Sequence, residues 1–195
     1  MKFHQSILQI PVTASDLYRL HQNIDSKIRE TYLGDAATSA MRHQREAVPD
    51  YSFRAVERRP GQSIVMVRSA SQLHLPGEKA LQSVIAQEGI VRFSTLMCVT
   101  SKLRGRSFVK PEADIPEHVI RPRLERAGLG NAKIQLSGVE HLPVRKPKGK
   151  AFTLAGGHTL VEAEVIDPQK FEDAFLHGVG SKTAFGFGFL MVDQT

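Results

Sequence analysis

Residues 3–28, FHQSILQIPVTASDLYRLHQNIDSKI, carry the decision about the fold. Residues 3–11 read as a strand ended by Pro11, whose ring cannot continue a ladder. A helix is expected from Ser15, a good N-cap, with Asp16 in the first turn at the positive end of the helix dipole. Leu17, Leu20, Ile24 and Ile28 recur at helical spacing and predict its buried seam. A strand followed by an amphipathic helix opens a βαββαβ unit, and the chain downstream continues that order.

Residues 34–49 read either as a long loop or as a short helix. Residues 51–59 and 62–70 are predicted strands, made a hairpin by Arg59-Pro60-Gly61. Pro76 and Gly77 are expected to open a second helix through Ala80, Leu81, Val84 and Ile85, before a strand over 91–99. The second half repeats the order. Residues 91–103 serve as its entry strand, and a helix over 115–127 stops at Gly128. Strands over 133–144 and 151–166 are joined by the basic turn 145–150. Pro168 opens a helix through Leu176, and a last strand over 185–192 is expected to put Phe185, Phe187, Phe189 and Met191 on one face. The predicted class is α+β: two tandem ferredoxin-like (RRM-like, βαββαβ) units with antiparallel sheets, one over 1–90 and one over 91–195.

Composition narrows the function classes. The chain has 195 residues and 41% apolar content, enough for a real core. No run approaches the roughly 18 apolar residues of a membrane helix. The N-terminal residues, with one lysine among interleaved polar groups, are not expected to be a signal peptide. Cys98 is the single cysteine, which excludes an internal disulfide and suits a reducing cytoplasm. Its simplest role is that of a small buried strand residue. The net charge of +6 is concentrated: residues 102–150 hold twelve Lys and Arg against five acids, a net +7. Such clustering is the footprint of a polyanionic partner. An anionic membrane surface fits less well, because the basic residues do not line a long amphipathic helix.

Two stretches carry candidate chemistry. The first is GVGSKTAFGFG, residues 178–188. Its glycines let backbone amides approach a phosphate and adopt positive φ. An ATP-binding P-loop needs GxxxxGK[ST] between a strand and a following helix, whereas here Ser181 precedes Lys182 and the loop leaves a helix. Close packing alone would account for Gly186 and Gly188. The second is LYRLHQ, residues 17–22 on the first helix. His21 falls on the shoulder of the apolar seam, with Tyr18 and Asp25 on the same side. Histidine titrates near neutrality and moves protons readily; Tyr18 is placed to orient a phosphate, and Asp25 to favour a protonated imidazole. The other histidines show no metal-binding spacing, so neither metal nor cofactor is expected.

Residues 17–22, the duplicated order of elements and the terminal glycine-rich loop together resemble the CRISPR-associated repeat-RNA endoribonucleases. The resemblance is to the CasE-type enzymes of type I-E Cascade systems or a diverged type IV relative, and it spans essentially the whole chain. It implies binding of a CRISPR repeat RNA hairpin and one cut of precursor CRISPR RNA per repeat without metal. It also implies retention of the product within a complex of other effector subunits. By position, His21 matches the family's catalytic histidine and Tyr18 the tyrosine one turn earlier, while Lys27 stands near the place of a lysine. Asn23-Ile24-Asp25 replaces an aromatic residue often found there. The RNA-binding set expected on this reading is Lys102, Arg104, Arg106, Arg121, Arg123, Arg145, Lys146, Lys148 and Lys150, with Gly178, Gly180 and Lys182 of the loop. The implied chemistry is attack by the 2′-hydroxyl on the adjacent phosphorus, giving a 2′,3′-cyclic phosphate and a 5′-hydroxyl. Whether His21 acts as acid or base stays open. A non-catalytic RNA-binding subunit is the alternative. A regulatory domain holding a small anion is a third reading, which leaves the +7 segment unexplained.

Overall fold

The computed structural model describes residues 1–12, 16–34, 48–82, 89–103, 106–145 and 151–192. Strand β1 (Lys2–Ile10) leads into helix α1 (Leu17–Leu33), then the hairpin β2 (Tyr51–Arg59) and β3 (Gln62–Ser69), and the short β4 (Lys79–Gln82). Strand β5 (Gly89–Cys98) opens the second half. It is followed by the ribbon β6 (Thr100–Leu103) and β7 (Arg106–Val109), a helical stretch ending in α2 (Arg121–Arg126), β8 (Leu129–Arg145), β9 (Ala151–Val165), α3 (Pro168–His177) and β10 (Met191–Val192).

Both main sheets have one topology. The first runs β4-β1-β3-β2 and the second β10-β5-β9-β8, with every neighbouring pair antiparallel. This is the ferredoxin-like order of a fourth, first, third and second strand, made twice, as expected. Among the described residues, no helix is long and apolar enough to cross a membrane.

Helix α1 forms for the reasons its sequence suggests, with one shift at its start. Asp16, not Ser15, is the N-cap: its carboxylate accepts the Arg19 N–H at 3.2 Å. Ser15 itself lies outside the described residues. Leu20, Ile24 and Ile28 are fully buried against Leu8, Ile10, Phe53, Val65 and Val67 of the first sheet. Leu17 turns instead to the second sheet, joining Leu96, Cys98, Leu142, Val144, Leu154 and Phe187. The main core of the second half gathers Phe93, Met97, Ile120, Leu124, Phe171 and Leu190. Cys98 is a free, buried strand residue.

The strand expected over 91–99 to close the first unit belongs to the second sheet as β5, β4 closes the first sheet instead, and the entry strand expected over 91–103 breaks after Cys98 into β5 and β6. Three further expected elements differ. The helix predicted from Pro76 is not formed: Pro76 and Gly77 make a turn, Ala80 and Leu81 lie in β4, and Val84 and Ile85 are outside the described residues. In place of a helix, residues 70–78 form an irregular turn-containing segment, with the Glu78 carboxylate accepting the N–H groups of Leu73 and Leu75 at 2.8 Å each. Pairing with β1 outweighs the helical spacing of apolar residues here. The helix predicted over 115–127 begins as a π turn, Pro116–Ile120, and becomes α-helical only at Arg121. The closing strand shrinks to Met191–Val192. Before it stand a 3-10 turn, Thr183–Phe185, and a tight stretch in which Phe187 and Leu190 enter different cores.

Glu78 therefore stands in for a missing helix. Its side chain is 6% exposed, and a hydrogen bond to a charged group contributes about 1.5–3 kcal/mol. Glu78→Ala is expected to lower unfolding free energy in urea by about 3 kcal/mol, and Glu78→Gln by less, since the amide keeps one acceptor.

Candidate functional site

Helix α1 presents Tyr18 and His21 one turn apart at the junction of the two sheets. The His21 ring lies parallel to Phe53 of β2, with centroids 6.3 Å apart and planes at 11°. The edge of Phe185 approaches it from the 3-10 turn, at 6.0 Å and 66°. Tyr18 packs beside Leu17 on the cluster formed by Leu142, Val144, Leu154 and Phe187. Residues from β2, α1 and the glycine-rich segment thus meet around one imidazole. The sequence places the glycine loop and His21 at opposite ends of the chain; the structure makes the loop a wall of the His21 site.

The glycines of that wall have geometric reasons. At Gly188, φ is +76°, and a Cβ would stand 2.0 Å from the Val179 carbonyl oxygen. The Gly188 carbonyl accepts the Val179 N–H at 2.9 Å while its own N–H donates to the Leu96 carbonyl at 2.7 Å, and this close approach to Val179 leaves no room for a side chain. Gly186, with φ +83°, faces the Phe53 ring, which a Cβ would approach to 3.0 Å. The close-packing reading of these two glycines accounts for them. Gly178 has φ +88°; Gly180, with φ +90°, lies against the Arg123 side chain, and Lys182 is exposed in a left-handed conformation. Of these three, Gly178 and Gly180 border a cleft of ≈ 560 Å³ also lined by Arg123, Arg126 and Lys170.

Asp25 is engaged elsewhere. It accepts from Arg29 Nε at 2.7 Å and from the Tyr51 hydroxyl at 3.3 Å. Burial, reinforced by the Asp25 carboxylate, holds the Tyr51 phenol far above its ordinary pKa, so it remains a neutral donor. Lys27 is about 120° around the helix from His21 and lines a separate groove with Ile7, Gln9, Asn23 and Glu30. The structure does not bring it to the imidazole.

The basic segment is dispersed. Arg121 makes a bidentate pair with Glu117, at 2.6 and 2.8 Å. Arg123 donates to the Cys98 carbonyl, and its partial burial lowers its pKa. Lys133 shares Glu162 with Arg92 on the outer face of the second sheet. Lys102 and Arg106 lie on the β6–β7 ribbon. Arg145 is exposed at the end of β8, one residue beyond Val144, which packs with Leu17. Arg104, Lys146, Lys148 and Lys150 lie outside the described residues. Among the described residues, no three His, Cys, Asp or Glu side chains converge.

Sequence reasoning missed Arg68, Ser52 and the two aromatic walls. Arg68, on β3, is 3% exposed. Its Nη1 donates to the carbonyls of Phe175 at 2.8 Å and Leu190 at 3.2 Å, and its guanidinium lies 3.6 Å from the centroid of Phe175 and 4.2 Å from that of Phe189. Ser52 Oγ donates to the next carbonyl, Leu176, at 2.6 Å. The available signal was a lone charge in the otherwise uncharged stretch 62–70.

This arrangement belongs to a fold seen before. The chain resembles Thermus thermophilus Cse3 bound to an RNA representing a pre-cleavage complex, with 16% identity, 99% of each chain covered and a TM-score of 0.67. It also resembles a subunit of a CRISPR RNA-guided surveillance complex, with 19% identity, 98% of this chain and 100% of that one covered, and a TM-score of 0.66. Escherichia coli Cas6e matches over the full length of both chains at 16% identity and a TM-score of 0.58. No family model matches the chain, and no curated protein does. The likeness is one of fold: tandem ferredoxin-like units along the whole chain.

Because Gly186 supports the ring that lies beside His21, Gly186→Ala tests the wall. Strain at positive φ and contact with Phe53 are expected to cost about 1–3 kcal/mol. The His21 ring proton signals should shift in the NMR spectrum; unchanged signals would separate Gly186 from the site.

Proposed function

We propose that the protein is a metal-independent endoribonuclease that binds a CRISPR repeat hairpin and cuts precursor CRISPR RNA within it. The observation that carries this reading is His21, one turn from Tyr18, at the junction of two ferredoxin-like units and walled by a glycine-rich segment. The same fold is found in Cse3 bound to a pre-cleavage RNA and in Cas6e, which supports the substrate class. Its occurrence within a CRISPR RNA-guided surveillance complex supports partnership with other effector subunits and retention of the mature product.

In this mechanism the 2′-hydroxyl before the scissile bond attacks the adjacent phosphorus. The P–O5′ bond breaks, leaving a 2′,3′-cyclic phosphate and a 5′-hydroxyl. An internal nucleophile needs no metal-activated water. What remains is proton transfer and stabilisation of a charged phosphorane. His21 moves one proton, from the 2′-hydroxyl or to the leaving 5′-oxygen, a contribution of ~10²–10⁴-fold. Tyr18 orients the scissile phosphate. Its packing against the cluster around Leu17 and Phe187 fixes its base, while the apolar walls from Phe53 and Phe185 limit the positions open to the imidazole. Lys182, exposed on the loop that carries Phe185, is better placed than Lys27 to offset the extra charge.

Binding is assigned mainly to the second unit, over 91–195, and cutting to the first, over 1–90. Double-stranded RNA is gripped through shape and phosphates. The hairpin of β8 and β9 brings Arg145, at the start of the basic segment 145–150, beyond the strand residues that pack on the start of α1. A stem held there lies beside Tyr18 and His21.

Incubation with the repeat RNA of the genome that encodes the chain, in EDTA, tests the reaction. Cleavage is expected to persist in EDTA and to stop with a 2′-deoxy group at the cut site. His21→Ala should abolish cutting and keep binding; wild-type cutting by that variant would sink the assignment. Retention of the hairpin by the wild type without cutting would instead favour the RNA-binding subunit. Replacing Arg145, Lys146 and Lys148 with Ala should flatten the salt dependence of affinity, by about 0.7–0.9 in log–log slope for each phosphate left without its cation. An unchanged slope removes the segment from the footprint.

A further inference from the structure

We propose that Arg68 is a positioning residue that clamps both stems of the glycine-rich loop and so holds Phe185 against His21. The geometry stands on its own, while the catalytic consequence rests on the ribonuclease reading above.

The loop leaves the end of α3 at Gly178, two residues beyond Leu176, and returns at Leu190. The two carbonyls that Arg68 Nη1 binds, Phe175 and Leu190, are the ones that bracket it. Val179 and Gly188 close the stems just inside by their hydrogen bond, and Ser52 holds Leu176. Arg68 and Ser52 both come from the first sheet, as does Phe53, whereas the loop belongs to the second half. The clamp therefore fixes the loop relative to the sheet that carries α1. Without it, the first sheet would hold the loop only through Ser52 and the contacts of the turn itself.

A guanidinium is a costly way to fill a core position. It is removed from water, and its Nε has no hydrogen-bond partner. A Met side chain of similar length could fill the gap among Phe3, Phe175 and Phe189 without desolvating a charge. What Met cannot do is bind two carbonyls 15 residues apart in the chain at one point. The placement of the loop is the gain that distinguishes the two. Arg68 itself is too buried to touch RNA.

Arg68→Met and Arg68→Lys in the full-length chain test this with two readouts. The first is hydrogen exchange of the backbone amides over 178–188. In Arg68→Met it is expected to accelerate about tenfold or more, while β8 and β9 exchange as in the wild type. The second is single-turnover cleavage of the repeat hairpin against its affinity. The cleavage rate should fall by about 10–100-fold, as displaced catalytic geometry does, with affinity unchanged. Arg68→Lys, which keeps a donor and a charge, should recover part of the rate. Should Arg68→Met fail to fold, Arg68→Lys carries both measurements, with smaller changes in the same direction. Unchanged exchange over 178–188 would overturn the clamp, as would rate and affinity falling together. If the wild type cuts no RNA, the ribonuclease reading fails, and the exchange measurement alone decides the clamp.

Discussion

The arrangement depends on one buried cation. Arg68 sits among Phe3, Phe175 and Phe189, and its Nη1 donates to two main-chain carbonyls. Desolvation pulls its pKa down to about 9, which still leaves it charged at neutral pH. The charge is tolerated because the faces of the rings and the carbonyl end of α3 both present negative potential. Those partners lie in the second half of the chain, while Arg68 is fixed in the ladder of the first sheet. A charge that can be satisfied in only one relative placement of the two sheets specifies that placement more sharply than apolar contact, which tolerates sliding.

Three apolar clusters surround this constraint. Leu20, Ile24 and Ile28 close the first unit, and Phe93, Ile120 and Phe171 close the second. The cluster around Leu17 and Phe187 belongs to neither alone. Helix α1 bridges them, buried along one seam against its own sheet and at its first turn against β5, β8 and β9. Tyr18 and His21 occupy the strip between the seam and that first turn. An imidazole held there is walled by both units, by Phe53 on one side and Phe185 on the other.

Much of this was legible from local pattern. The α1 seam repeats every three to four residues, and the two hairpins alternate around strong turn residues, so both periods survived tertiary context. Where the reading failed, a distant partner decided. Ala80 and Leu81 fit a helix by spacing, but β1 offered a ladder and Glu78 satisfied the irregular chain before it. Phe185, Phe187 and Phe189 alternate like a strand, yet the left-handed glycines between them break the alternation and send the rings to different neighbours. Arg68 is separated from its carbonyls by 107 and 122 residues, beyond any local pattern. The density of basic residues in 102–150 was visible, but their individual engagements were not: Arg121 serves Glu117, Arg123 a carbonyl, and Lys133 the opposite face.

The short β4 bears on how the molecule avoids its own copies. It covers β1 only from Lys2 to Gln5, so the second half of a central strand has no strand neighbour on that side among the described residues. An uncovered ladder beside Ile7, which is 60% exposed, would invite edge-to-edge association. Two prolines stand at the ends of the gap. Pro76 lies where β4 would otherwise begin and takes the Ser6 hydroxyl on its carbonyl at 2.7 Å, and Pro11 follows the last residue of β1. Neither ring offers an N–H to an incoming strand. The turn that removed a helix from the first unit therefore also guards against fibrous stacking, at the cost of one residue without a backbone donor at each end.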